Sequence, residues 1–186
     1  MKVAVLVGSL RRESFSRKTA KTLVALAPES LTLEIVEIGD LPLYNQDSDD
    51  DRQPPNEWTT FRNRIKGYDG VIFVTPEYNR SVPAVLKNAI DVGSRPYGQS
   101  VWTRKPGAIV SVSPGAIGGF GANHHLRQSL VFLDMPAMQQ PEAYIGGAAD
   151  LFDAGGKMSN ESTREFLRKF VTAFEVWLRI NAASIS

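Results

Sequence analysis

The sequence predicts an α/β fold, a doubly wound three-layer sandwich around a five-stranded parallel sheet in the order 2-1-3-4-5. Three observations carry that expectation. The short segments Val3–Val7, Val71–Val74 and Ala108–Val112 are apolar throughout, as strands buried on both faces of a parallel sheet must be. Stretches with helical spacing of apolar residues separate them, the alternation that produces an open sheet covered on both sides. A fourth run, "LTLEIVEI" from Leu31, sets Leu31, Leu33 and Ile35 against Thr32 and Glu34. That is the pattern of a half-solvated strand, and the order 2-1-3-4-5 puts the second strand at an edge.

The elements follow in chain order. Strand one, Val3–Val7, runs into a helix with Ala20, Leu23, Val24 and Ala27 at i, i+3, i+4 and i+7. After the alternating strand comes one long loop, Asp40 to Asn56. Asp47, Asp49 and Asp51 occupy the first three ligand spacings of an EF-hand there. Arg52 stands where that motif needs Gly, however, and Trp58 where it needs the closing Glu. A solvated acidic turn is therefore expected, and no metal site. A weaker pattern from Trp58 to Ile65 predicts the second helix. Val82, Val85, Leu86, Ala89 and Ile90 predict the third, with Pro83 in its first turn and Ser81 as its cap. Leu126, Leu130 and Leu133 make the next stripe, which serves equally as core or as an interface helix extending to Met135. Met138 and the residues after Pro141 hold the fifth strand, and Phe166, Phe170, Ala173, Phe174 and Trp177 line a final helix.

Composition narrows the function classes. The chain has 186 residues, read as a single domain over 1–186, with 42% hydrophobic and 22% charged residues. A net charge of +1 gives no bulk electrostatic reason to bind nucleic acid or a membrane. There is no cysteine, which removes disulfides, thiolate nucleophiles and iron–sulfur clusters. The start "MKVAVLVGS" is too short for a signal sequence, and no run approaches the roughly 18 apolar residues of a membrane helix. A cytoplasmic protein is expected.

In this sheet order the switch point lies between strands one and three, so ligands belong at the loops after Val7 and Val74. The first loop reads "GSLRRESFS". It lacks the glycines of a Walker loop and of a dinucleotide fingerprint. It does offer the hydroxyls of Ser9, Ser14 and Ser16, the Arg11 fork and a helix N-terminus, enough to hold one phosphate. Ser14 or Ser16 capping the helix is the alternative use. The second loop, "TPEYNRSVPAVLKNAID", carries Glu77, Tyr78 and Asn79 out to the crevice between Pro76 and Pro83. Arg80 follows beside Asn79. His124 and His125 are adjacent on a helix, so their side chains diverge.

Together "GSLRRESFS", "TPEYNRSVPAVLKNAID", "SPGAIGG" (Ser113–Gly119) and "HLRQSLVFLDM" (His125–Met135) resemble, in order and spacing, the NADPH-dependent FMN reductase family. These are flavodoxin-like proteins that include quinone, chromate and azo-dye reductases. Two departures are visible: Ser16 stands where Asn is usual, and Val92 where an aromatic is common. The resemblance implies an FMN whose phosphate is held by Ser9, Arg11, Ser14, Phe15 and Ser16. It implies an isoalloxazine beside Pro76, Glu77, Tyr78 and Asn79, with its pyrimidine edge near Ser113 and Gly115. Tyr78 and Arg80 would face the substrate.

The implied reaction is ping-pong. NADPH or NADH gives hydride to N5 of FMN, and a quinone, chromate, an azo dye or free flavin then takes the electrons. The flavin carries the chemistry, so no catalytic side chain and no metal is called for. A homodimer or homotetramer is the implied assembly. The competing class is a flavodoxin-like FMN electron carrier without substrate turnover of its own. Such carriers tend to be strongly acidic, whereas this chain has a pI near 8.0. A receiver domain would need carboxylates where Gly8-Ser9 stand, and a flavin-free nucleotide-binding module would be colourless.

Overall fold

Three strands have no solvent-facing side along almost their whole length, and this determines the architecture. β1 (Lys2–Val7) is buried from Val3 onward, and β3 (Gly70–Thr75) and β4 (Gly107–Val112) are buried throughout. In this computed structural model, which describes residues 1–182, they form the middle of a five-stranded sheet. The order is β2-β1-β3-β4-β5, all parallel, with β2 (Thr32–Val36) and β5 (Ala143–Ile145) at the edges. The register sets Val5 between Ile35 and Ile72, and Val74 between Val7 and Val110. This is the expected flavodoxin-like sandwich. The fifth strand comes in two pieces, because Ala137 bridges to Gly107 before the chain breaks near Pro141 and resumes at Ala143.

Two helices cover one face, α1 (Phe15–Leu26) and α6 (Glu161–Ala182). Three cover the other: α3 (Asn56–Lys66), α4 (Ala84–Gly93) and α5 (Phe120–Phe132), with a short α2 (Gln46–Asp50) in the connection before them. α6 turns Leu167, Phe170, Val171, Phe174 and Leu178 inward, with Phe166 and Trp177 only partly buried beside them. Each fully buried side chain of this size contributes about 1.5–3 kcal/mol. The surface pairs Arg164–Glu161, Arg168–Glu165 and Arg179–Glu175 contribute about 0.2–1 kcal/mol each at most. Apolar burial, not charge, holds α6. No helix among the described residues is long and apolar enough to cross a membrane.

Two local expectations change, at Val24 and Ser81, and two positions left open, the α5 stripe and Val92, find their place. The buried side of α1 is Ser16, Thr19, Ala20 and Leu23, and Val24 lies off it, exposed. Leu126, Leu130, Leu133 and Met135 belong to the core, so α5's outward apolar residues are Phe120 at its start and Val131 and Phe132 at its end, the last two each 78% exposed. Ser81 does not cap α4. Pro83 holds the cap position, and Ser81 is used in a turn described below. Val92, in the position where an aromatic is common, is fully buried, and Trp102 fills the helix end against Gly93.

The acidic loop departs furthest from expectation. Asp49 is not solvated: its carboxylate takes two hydrogen bonds from Arg62, at 2.8 and 2.7 Å, with side-chain exposures of 4% and 9%. Arg62 also donates Nε–H to the Val92 carbonyl and lies over the Trp58 ring. One turn away the Asn88 amide accepts from Tyr44 N–H and donates to the Leu41 and Pro42 carbonyls. A loop that composition marks as solvated is thereby tied to α3 and α4.

Removing one member of a buried ion pair strands the other charge. Asp49→Ala is therefore expected to cost about 3 kcal/mol, read as a lowered urea midpoint. Glu37→Ala, which removes the exposed partner of Arg17, should stay within about 1 kcal/mol.

Candidate functional site

The backbone donors of a parallel sheet are used within its ladders, and the first free ones appear where strands end. β1 continues one step past its end, Gly8 N–H donating to the Val74 carbonyl at 2.9 Å. There the chains part. β1 leads to α1 on one face and β3 to α4 on the other, so a crevice opens between Ser9 and Pro76, the switch point predicted for ligands.

On the β1 side, Ser14 is the N-cap of α1, accepting from Arg17 N–H at 3.1 Å. Its own O–H is still available as a donor. Ser9 and Ser16 are 4% and 2% exposed, and neither hydroxyl has a partner among the described residues. Neither oxygen is sealed in, unlike the hydroxyl of Thr19, which is buried without a partner, so two unspent donors open on the crevice beside a helix N-terminus, where an anion is favoured. Of the nearby cations, Arg17 is paired with Glu37 and Lys18 with Glu13. Arg11 makes no ion pair among the described residues and is exposed at the loop's tip. The Phe15 ring is engaged elsewhere, stacked on Phe152 at 6.1 Å, so at the crevice this residue offers its N–H rather than its side chain.

On the β3 side, Tyr78 to Ser81 form a tight turn. Tyr78 and Ser81 exchange backbone hydrogen bonds of 3.0 and 2.9 Å, and Asn79 and Arg80 sit at φ 51° and 64°. Two successive left-handed residues define a type I′ turn. Asn tolerates that region, while Arg there costs on the order of 1–2 kcal/mol. Tyr78 is thereby held half exposed at the mouth. Arg80 is 75% exposed and leans back onto Glu77 at 2.9 Å. The Glu77 carboxylate itself is only 9% exposed and accepts an N–H bond from Ala122, at 3.1 Å, with the Gly121 amide close by. Burial pushes its carboxyl up, but those amides and Arg80 outweigh it and hold it below the usual carboxylate range. The sequence reading set Glu77 beside a flavin, and the structure turns its side chain toward α5.

The third wall is the β4–α5 loop. Ser113 N–H goes to the Ile145 carbonyl, and Ser113 Oγ accepts from Gly115 N–H at 3.1 Å. These two residues shape the loop, and the amides without partners among the described residues are those of Ala116, Ile117 and Gly119. Gly118, at φ 61°, passes so close to Tyr144 that a Cβ would stand 2.6 Å from its carbonyl carbon, so only Gly fits. Beyond it His124 Nε2 meets the Tyr144 hydroxyl at 2.9 Å, and that hydroxyl donates to Glu142 at 2.7 Å. Burial first, and then the Glu142 carboxylate, push the Tyr144 phenol up to about 12. His125 diverges as expected, its Nδ1 3.0 Å from Ser81 Oγ.

The crevice thus gathers Ser9, Ser14, Ser16, Arg11 and the α1 amides on one side, Pro76–Arg80 on another, and the Ser113–Gly119 loop on a third. A separate cavity of about 470 Å³ lies between α4 and α5, lined by Ser81, Asp91, His125 and Phe132 among others. It adjoins the turn but is not the crevice. Glu77 as an α5 cap was not read from the sequence. Its one signal was negative: Gly118-Gly119 before α5 supplies no side chain to cap it.

Sheet order and switch-point loops define the flavodoxin-like class of α/β proteins. Comparison with known proteins narrows the class. The model of the NADPH-dependent FMN reductase family matches residues 1–150, and the chain belongs to that family. A quinone reductase of Pseudomonas putida is 66% identical over 181 residues, covering 97% of this chain and 96% of its own. A 2-hydroxy-1,4-benzoquinone reductase of a Burkholderia species is 49% identical, covering 96% and 97%. Among solved structures, FerB, a flavoenzyme NAD(P)H:(acceptor) oxidoreductase of Paracoccus denitrificans, superposes with a TM-score of 0.89 at 43% identity, covering 97% and 98%. The chain is an NAD(P)H-dependent oxidoreductase.

Ser14→Ala removes the α1 cap. A loss of about 1 kcal/mol is expected, seen as a thermal midpoint lower by roughly 2–4 °C for a chain of this size. Calorimetry of the flavin-free protein checks it.

Proposed function

We propose that the protein is an FMN-dependent NAD(P)H:quinone oxidoreductase. The observation that carries this reading is the pair of unspent hydroxyls, Ser9 and Ser16, open to the crevice at the N-terminus of α1 beside Arg11, which has no ion pair among the described residues. Those donors fit one phosphate and are too few for a pyrophosphate. Ser9, Ser16, the Ser14 O–H, the Phe15 amide and Arg11 hold the FMN phosphate. Pro76, Tyr78 and Asn79 run beside the isoalloxazine, and the amides of Ala116 and Ile117 meet its pyrimidine edge on a loop shaped by Ser113 and Gly115. When bound, FMN supplies hydride exchange at N5, from NAD(P)H and then to the acceptor.

The residues of this chain do the rest. The amides at the end of β4 favour negative charge at the pyrimidine edge. Tyr78 bounds the acceptor's place at the mouth, and Arg80 adds a positive charge for anionic acceptors and for the NADPH phosphate. Overall, NAD(P)H, a proton and a quinone give NAD(P)⁺ and a hydroquinone. The two quinone reductase relatives support that acceptor class, and chromate, azo dyes and free flavin are proposed as further acceptors on the same open face. The groove between α4 and α5, flanked by the exposed Val131 and Phe132, supports a homodimer or homotetramer. A cytoplasmic location accords with the absence of cysteine and with the use of NAD(P)H.

Arg11→Ala should raise the FMN dissociation constant by about tenfold or more, the worth of a charge-assisted bond, and leave the unfolding midpoint of the flavin-free protein nearly unchanged. Full flavin occupancy on dilution would overturn the phosphate assignment. Tyr78→Ala should instead change acceptor KM and kcat by more than it changes FMN affinity, measured by steady-state kinetics beside the same titration. A wild-type protein that binds FMN but shows no turnover with NAD(P)H and a quinone would return the electron-carrier reading.

A further inference from the structure

An α-helix begins with amides that have no partner within the helix, and α5 has no local means of capping them. Its N-cap residue is Gly119, in the left-handed region and without a side chain. Six residues earlier Ser113 has already spent its hydroxyl on Gly115. The acceptor arrives from another part of the chain. Glu77, 45 residues before Ala122, puts Oε2 3.1 Å from Ala122 N, accepting its N–H, with Gly121 beside it. A carboxylate at a helix N-terminus is favoured both by this bond and by the helix dipole.

The approach is close enough to dictate a residue type. A Cβ on Gly121 would stand 2.9 Å from Glu77 Oε2 and 3.0 Å from the Arg80 carbonyl oxygen. The same turn is tied a second time, by Ser81 Oγ to His125 Nδ1 one helical turn further along α5. The Arg80–Glu77 pair is exposed on the arginine side and is worth little by itself. The buried amide contacts therefore carry the attachment.

We infer that Glu77 is a positioning residue, which caps α5 from the β3–α4 turn and so locks two of the three walls of the crevice into one unit. Its side chain does not touch the acceptor. It keeps the strained Tyr78–Ser81 turn at a fixed height over the β4–α5 loop, so that Tyr78 and the Ala116 and Ile117 amides present a single preformed surface. This deepens the proposed function and rests on the crevice being the flavin site.

The test compares Glu77→Gln, Glu77→Ala and Gly121→Ala with wild type. Hydrogen exchange in the flavin-free protein reads the tie directly and needs no cofactor. Glu77→Ala should speed exchange at Gly121 and Ala122 and, on the other element, at Tyr78 and Ser81. Glu77→Gln keeps one acceptor oxygen and should restore protection in part. FMN titration followed by fluorescence should show Glu77→Ala and Gly121→Ala weakened by about tenfold or more, with Glu77→Gln between them and wild type. The quinone KM should rise more than kcat falls. If exchange at Tyr78 and Ser81 is unchanged in Glu77→Ala, or if both Glu77→Ala and Gly121→Ala bind FMN as wild type does, the inference is overturned. Should Glu77→Ala fail to fold, Gly121→Ala and Glu77→Gln decide by the same two readouts. A wild type that binds no FMN overturns the functional reading alone, because the exchange experiment still stands.

Discussion

A sheet buried on both faces can satisfy its backbone only from within. Along β1, β3 and β4 each strand lies between two neighbours, and the flanking side chains leave no room for water. That constraint forces the apolar composition of these strands, and it also decides where chemistry can occur. Donors are free only past the last rung of the ladder, at Gly8, Thr75 and Val112. Since β1 and β3 leave that edge toward opposite faces, the free donors of their loops surround a gap. The crevice is the place where the hydrogen-bond pattern of the sheet stops.

Within the crevice the donors are not used as their residue types alone would indicate. Ser14 and Ser16 look alike in the sequence, but Ser14 already serves α1 and Ser16 is unspent. Ser113 and Gly115 stand at the end of β4, yet their amides are consumed in shaping the loop, and Ala116, Ile117 and Gly119 carry the free ones. Phe15 gives its ring to Phe152. In each case a structural demand takes one group of a residue and leaves another for a ligand.

The same distinction separates what could be read in advance from what could not. Val3–Val7, Val71–Val74 and Ala108–Val112 identify their strands because burial on both faces admits few other residues. The alternation from Leu31 identifies an edge for the converse reason. The sheet order and the two switch-point loops follow from those patterns. Contacts made across the fold were not legible. Asp49 reads as one acid among several until Arg62, on another helix, is seen to receive it. Ser81 before Pro83 reads as a cap until the type I′ turn claims it. Val24 fits the period of α1 but falls beyond the strip that the sheet can cover. Periodicity reports which face is buried, whereas pairing depends on which elements the topology brings together.

α6 has a consequence for the order in which the protein can be completed. Its inward residues Leu167, Phe170, Phe174 and Leu178 cover the face formed by Val3, Val5, Ile72, Val74, Ala108 and Val110, and the tip of the helix fits over Gly70. α1 packs beside it in the same cluster. During synthesis that face of the sheet stays bare until residues 161–182 have emerged, and α1 lacks its neighbour for as long. The sheet, the turn and α5 can assemble on the other side beforehand. The wall of the crevice formed by Ser9 and the start of α1 is therefore the last to gain its support.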